Sequence, residues 1–335
     1  MKSHECQFTL PELVRLIAWP LFPVALFAAS MHLGAALRWL PSPRAVLDTD
    51  RTILFHQAAT SQGPHGARLL LTGDSSCLMD VSAEQLEASL PANQSTLNLG
   101  TLSYLDLPAY ASLLERYFAT NSGRVRTVLL LMHPEALRRV APTDYHVNAL
   151  NSFFSGIDFC DPATGRLFCW LGGAIFDGRL LSRAIPLPLA GNYGKRYGFT
   201  SDLWQYLSEH KGSAIDPGKF DPKSAMGNAE YRLAKQLESA SKIFRAAIPA
   251  NVKLVAGMTP TPESFAGRGF PSKFKELLQG WNEWLHADVI LDDLPATLPD
   301  RLFASTAHLN EAGRRVYTSL LALILAPELL DRSTR

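Results

Sequence analysis

The stretch 68–81 reads "RLLLTGDSSCLMDV": an apolar run stops at Gly73-Asp74-Ser75-Ser76, and a helix-compatible segment follows. A tight turn needs a glycine, but it does not need a carboxylate and two hydroxyls. Ser75 is therefore a candidate nucleophile presented at the end of a strand. A serine hydroxyl is a poor nucleophile until an imidazole takes its proton. The candidate base is His308, in "LFASTAHLNEAGRRVYTSLLALIL", where His308-Leu309-Asn310 leads into an amphipathic helix. Alone, that histidine reads better as a surface or capping residue; beside a Gly-Asp-Ser turn it reads as a base.

The elements that must position this pair follow from hydrophobic periodicity. Short apolar runs at 68–72, 96–99, 126–132, 252–258 and 288–291 have the character of strands buried on both faces. Apolar residues at three- and four-residue spacing mark helices over 104–118, 230–248, 273–285 and 310–325. Strands alternating with helices predict a mostly parallel sheet covered on both faces. Ligands bind such sheets at the carboxyl ends of their strands. Ser75, Gly100 and His133 each follow a predicted strand there.

Composition sets the limits. The chain has 335 residues, 47% of them hydrophobic, and 32 Lys+Arg against 31 Asp+Glu give a net charge of +1. A sizeable core is expected, and no basic field exists to hold nucleic acid. Between Arg15 and Arg38 about 22 residues carry no acid, lysine or arginine, and Trp19 and Trp39 stand near the two ends. That is long enough to cross about 30 Å of hydrocarbon. Residues 1–12 read as a tail, 13–37 as an uncleaved transmembrane anchor, with a cleaved signal as the alternative. The polar, Pro- and Gly-containing segment 38–66 reads as a linker, and 67–330 as the functional domain.

Within that domain, about 138–228 is too long for a simple connection and reads as an insertion. Cys160 and Cys169 bracket an Asp-Pro-Ala-Thr-Gly turn; a disulfide and two free buried thiols are both compatible with that spacing, and an external compartment favours the disulfide. No zinc-like ligand spacing occurs. The insertion's aromatics, Trp170, Tyr193, Tyr197, Trp204 and Tyr206, suit either stacking on sugar rings or a small subdomain core.

A Gly-Asp-Ser block after the first strand, a glycine after the second and a terminal His-Leu-Asn-x-x-Gly block together resemble the SGNH (GDSL-like) hydrolases. "NLGTLSYLDLPAYASLLERY" and "STAHLNEAGRRVYTSLLA" resemble the membrane-anchored branch that accompanies membrane-bound O-acyltransferases in alginate acetylation and teichoic-acid D-alanine transfer. The resemblance implies a flavodoxin-like three-layer α/β/α sandwich preceded by one transmembrane helix. It implies a location at a bacterial inner membrane, with the domain in the periplasm or outside. It also implies acyl transfer or ester hydrolysis at a serine without metal or organic cofactor, a polysaccharide acceptor and a multipass acyltransferase partner. Carried over by position, Ser75 is the nucleophile, Asp74 the residue before it, His308 the base and Gly100 an oxyanion-hole amide.

Two departures stand out. The family's Gly-x-Asn-Asp block is missing, and His133, which occupies its neighbourhood, reads equally as a substitute oxyanion donor or as a strand-end histidine packed in the core. The acid three residues before the histidine is replaced by Ser305, leaving Asp300, Asp292 and Asp293 as nearby substitutes. Three functions follow: an envelope O-acyltransferase of exopolysaccharide biosynthesis, an esterase using the same Ser-His pair, or a catalytically weak glycan-binding partner.

Overall fold

The computed structural model describes residues 9–36, 49–91, 94–121, 123–138, 141–155, 196–197, 200–223, 231–267 and 269–330. Helix α1 (Leu10–Ala36) runs for 27 residues, about 40 Å at the helical rise. Its Leu10–Phe27 window has a mean hydropathy of 1.5 and none of it is buried. It is one helix long and apolar enough to span a membrane.

The body is an α/β unit around a five-stranded sheet in the order β2-β1-β3-β4-β6. The strands are β1 (Leu69–Gly73), β2 (Thr96–Asn98), β3 (Thr127–Met132), β4 (Lys253–Met258) and β6 (Val289–Ile290). Every pairing in it is parallel. A two-stranded parallel pair, β5 (Thr261–Pro262) and β7 (Thr297–Leu298), lies beside it. Every residue of β1 and β3 is buried, as expected for parallel strands covered on both faces.

The period of two divides the core. Leu70, Val128, Leu130, Leu254 and Ala256 face an apolar cluster with α5 (Leu107–Thr120), α8 (Leu237–Ala246) and α9 (Phe270–Leu285). Leu69, Leu71, Leu129, Leu131 and Val255 face the other, with α3 (Ser75–Asp80), α4 (Ala83–Ser89) and α10 (Glu311–Leu329).

Two segments differ from their sequence readings. Within the expected linker 38–66, Thr49–Ser61 forms helix α2, with Ile53, Leu54, His56 and Gln57 buried. Thr52, His56, Gln57, Thr60 and Ser61 are buried in it, not solvated as the linker reading assumed. The Gln57 amide donates to the carbonyls of Asn98, Gly100 and Gly212 at 3.2, 2.6 and 3.2 Å, which satisfies the loop beyond β2 from inside. Within the expected insertion 138–228, α6 (Asp144–Ser155) packs on α2, as does α7 (Thr200–Glu209). The strap after α7 is tied to the sheet layer: Asn98 N–H donates to Lys211 O at 2.9 Å and Ala214 N–H to Leu78 O at 2.9 Å. Cys160, Cys169, Trp170 and Tyr193 lie outside the described residues. Tyr197 is buried, its hydroxyl donating to Ile215 O and accepting from Ile215 N–H at 2.6 and 2.7 Å. Trp204 packs edge-on against His56. Tyr197 belongs to the core, and Trp204 is half-buried beside the His56 ring.

Gly73 closes β1 with φ +144°, and a Cβ there would stand 1.8 Å from the Leu131 carbonyl oxygen on β3. Gly73→Ala should therefore cost about 3 kcal/mol or more. Gly123→Ala, at φ +77° with nothing within 4 Å, should cost about 1 kcal/mol. Denaturant titration of the two variants should show that ranking; equal losses would contradict the close approach.

Candidate functional site

Ser75 is the first residue of α3, directly beyond the β1 turn, and it is the half-exposed residue in an otherwise buried run from Leu69 to Val81. Asp74 caps that helix. One carboxylate oxygen accepts from the Ser76 N–H at 2.9 Å and the Ser76 hydroxyl at 2.6 Å; the other accepts from the His133 N–H at 2.9 Å. Burial raises the Asp74 pKa, against these hydrogen bonds, which lower it. Expected among the catalytic group, Asp74 instead spends both oxygens on backbone and Ser76 and contacts neither the Ser75 hydroxyl nor the His308 ring. It is the clamp that joins the ends of β1 and β3 and fixes where Ser75 points.

His308 reaches the same place from the far end of the chain. Its loop folds on itself through Ala304 N–H and Ser305 N–H to His308 O, and through the Phe303–Leu309 bridge. Asn310 then caps α10 through Gly313 N–H. The result places His308 Nε2 2.9 Å from the Ser75 Oγ, across 233 positions of sequence. The opposite ring nitrogen, Nδ1, lies 2.8 Å from Asp216 Oδ2.

Asp216 was not anticipated. The expected substitutes are elsewhere: Asp300 accepts from Ser264 N–H, Asp293 lies near Lys275, and Asp292 makes no contact with the ring. They fail because they belong to the β6–β7 region, whereas the strap pinned against α3 by Ala214 delivers its own carboxylate. Gly218 N–H donates to Asp216 Oδ1 at 2.7 Å, an Asx turn that leaves Oδ2 for the imidazole. Ser305, where the resembled family carries its acid, helps to hold the Asp216 pKa low. It also accepts from the His308 N–H at 3.0 Å. The only sequence sign of Asp216 was an Asp-Pro-Gly turn, in "SAIDPG".

The electrostatics fit a base held ready. Burial disfavours the charged imidazole of His308, but the Asp216 hydrogen bond and the fields of Asp80, Asp216 and Asp74 outweigh it and raise its pKa above the ordinary value. Burial likewise opposes charge on Asp216, and the His308 contact, Gly218 and Ser305 still hold it low. A hydroxyl, an imidazole and an ionised carboxylate in one line can move a proton off the serine and stabilise the imidazolium that results.

The expected oxyanion donors divide. Gly100 N–H is already donated to Asn98 Oδ1 at 2.8 Å, so it is not free as the resemblance implied. His133 is different. Its Nδ1 accepts from Glu135 N–H at 3.2 Å, which leaves the proton on Nε2, and that buried Nε2 has no partner among the described residues. Burial, with the charges of His308 and Arg138, lowers its pKa to about 3, so the ring stays neutral. The Ser75 N–H, in the first turn of α3, has no acceptor within its own helix.

A groove of about 920 Å³ lies at the opposite, amino edge of the sheet, lined by Arg68, Arg126 and Lys253 among others; it holds none of these groups. Among the described residues no three His, Cys, Asp or Glu side chains gather as metal ligands. No family model matches the chain, and a search of curated proteins finds no relative.

The raised His308 pKa has a direct readout in ring NMR of histidine-labelled protein. His308 should titrate above the ordinary value of about 6.5. Asp216→Asn removes the hydrogen-bonded charge and should lower it. A His308 titration at or below about 6.5 in the wild type would contradict the arrangement.

Proposed function

We propose that the protein is a membrane-anchored O-acyltransferase of SGNH type. It moves acetyl or a similarly short acyl group onto an extracellular or periplasmic polysaccharide through an acyl-Ser75 intermediate. The observation that carries this reading is the hydrogen-bonded line Ser75–His308–Asp216, with 2.9 and 2.8 Å between its members. The parallel strand order, with β1 flanked by β2 and β3, matches doubly wound sheets of the flavodoxin type and supports the finer fold assignment. Helix α1 supports a membrane anchor, and the resemblance supports an inner-membrane location with the domain outside and a multipass acyltransferase as partner.

The chemistry proceeds in two balanced halves. The Ser75 oxygen attacks the acyl carbonyl as its proton passes to His308 Nε2; the tetrahedral oxyanion collapses, and the leaving group departs with that proton. A glycan hydroxyl then attacks the acyl-serine, gives its proton to His308, and leaves as the new ester while Ser75 recovers its hydrogen. Asp216 holds the ring in the tautomer that keeps Nε2 free to accept. The Nε2–H of His133 and the Ser75 N–H are the oxyanion donors. A buried donor without a partner is costly by about 1–3 kcal/mol, so pairing His133 only when negative charge develops favours the transition state. The filled acid position makes an active enzyme the better reading than an inert glycan-binding partner.

The test is acyl transfer from an activated short-chain ester to a polysaccharide acceptor, with hydrolysis followed in parallel. Ser75→Ala and His308→Ala should abolish both, and His133→Ala should lower turnover by about 10²–10³-fold. Hydrolysis without transfer identifies an esterase. Transfer surviving Ser75→Ala would refute the acyl-serine reading.

A further inference from the structure

Asp80 is a carboxylic acid with no exposed surface, and no part of the proton transfer requires it. It is the last residue of α3, the helix that begins with Ser75. Its Oδ1 accepts the N–H of Leu309, the residue after His308, at 2.8 Å. Its Oδ2 is buried and has no partner among the described residues. One short helix thus carries the nucleophile at its start and a tether for the base at its end. The same end of α3 receives Ala214 N–H at the Leu78 carbonyl, and the Arg314 guanidinium of α10 donates to Ala214 O at 3.0 Å. The base loop, the acid strap and α10 therefore meet at one helix end.

We propose that Asp80 is a positioning residue for the base: its buried carboxyl holds the His308 loop against α3 through Leu309 and sets a second acidic group behind the imidazole. The inference rests on the reading of Ser75 and His308 as the working pair. The groups around Asp80 are His308 on the base loop, Asp74 at the β1 turn and Asp216 on the strap. Cys77 on α3 and Tyr317 on α10 also feel its charge, and both are neutral thiol and phenol pushed upward by burial. Burial raises Asp80 to about 8, against the opposing pull of the His308 charge and the Leu309 hydrogen bond. Its ionisation is thereby linked to that of the base.

Two variants separate the tether from bulk packing. Asp80→Asn keeps an oxygen that accepts the Leu309 N–H and removes the ionisation; Asp80→Ala removes both. Full-length protein in detergent is reacted with a fluorophosphonate, which labels an activated serine, and His308 is followed by ring NMR across the alkaline range. D80A should label Ser75 at least about tenfold more slowly while keeping its helical circular dichroism. D80N should recover most of that loss. The wild-type His308 ring should register a second step near pH 8 that is absent in D80N.

Wild-type labelling by D80A, or D80N as slow as D80A, overturns the tether. Identical His308 titrations in wild type and D80N overturn the link to the acid. Should D80A not fold, the D80N rate and the NMR comparison decide. A wild-type protein that never labels refutes the acyl-serine reading itself, whereas loss of the upper step in D80N would still place Asp80 behind the imidazole.

Discussion

A serine at the end of a strand has no special reactivity; it acquires one when an imidazole is fixed between its oxygen and a carboxylate. In this chain that constraint falls on His308, whose two ring nitrogens lie 2.9 Å from Ser75 and 2.8 Å from Asp216. Three distant segments have to converge for it: the β1 turn, the strap following α7 and the loop before α10. Several buried polar groups serve that convergence. Asp74 ties β1 to β3, Gln57 satisfies the β2 loop and the strap together, and Asp80 ties the His308 loop to α3.

The turn at 73–76 shows how backbone and chemistry are joined. Gly73 is required because β3 passes too close for a Cβ, and Asp74 is required because the Ser76 amide in the first turn of α3 and the first amide beyond β3 both need an acceptor. Once those two residues are fixed, the next side chain has one direction left, outward from the carboxyl edge. Ser75 occupies that position. The glycine and the carboxylate of the opening motif thus hold the turn, and the Ser75 hydroxyl is left to meet His308.

The strands were legible in the sequence because buried parallel strands are continuous apolar runs. The five expected runs correspond to β1, β2, β3, β4 and β6 within a residue or two at each end. Ser75 and His308 were legible because each stands at a turn next to an element with a strong period. Asp216 was not, because nothing in a sequence couples an Asp-Pro-Gly turn to a histidine 92 positions later. Helix α2 was misread for a related reason: Thr, His, Gln and Ser look like solvated linker until their hydrogen-bond partners, the carbonyls of other segments, are known. The Gly100 N–H is taken up by a local competitor, the Asn98 side chain two residues earlier. Short-range competition of this kind depends on side-chain direction, which residue type does not reveal.

The central claim is that Ser75 carries the acyl group. The direct measurement is to mix full-length protein with an activated short-chain ester, quench within the first turnover, and locate the added mass by peptide mapping. The account predicts one acyl group per chain, on the peptide containing Ser75, absent from Ser75→Ala and much reduced in Asp216→Asn. An adduct on another residue, or one that persists in Ser75→Ala, would contradict it.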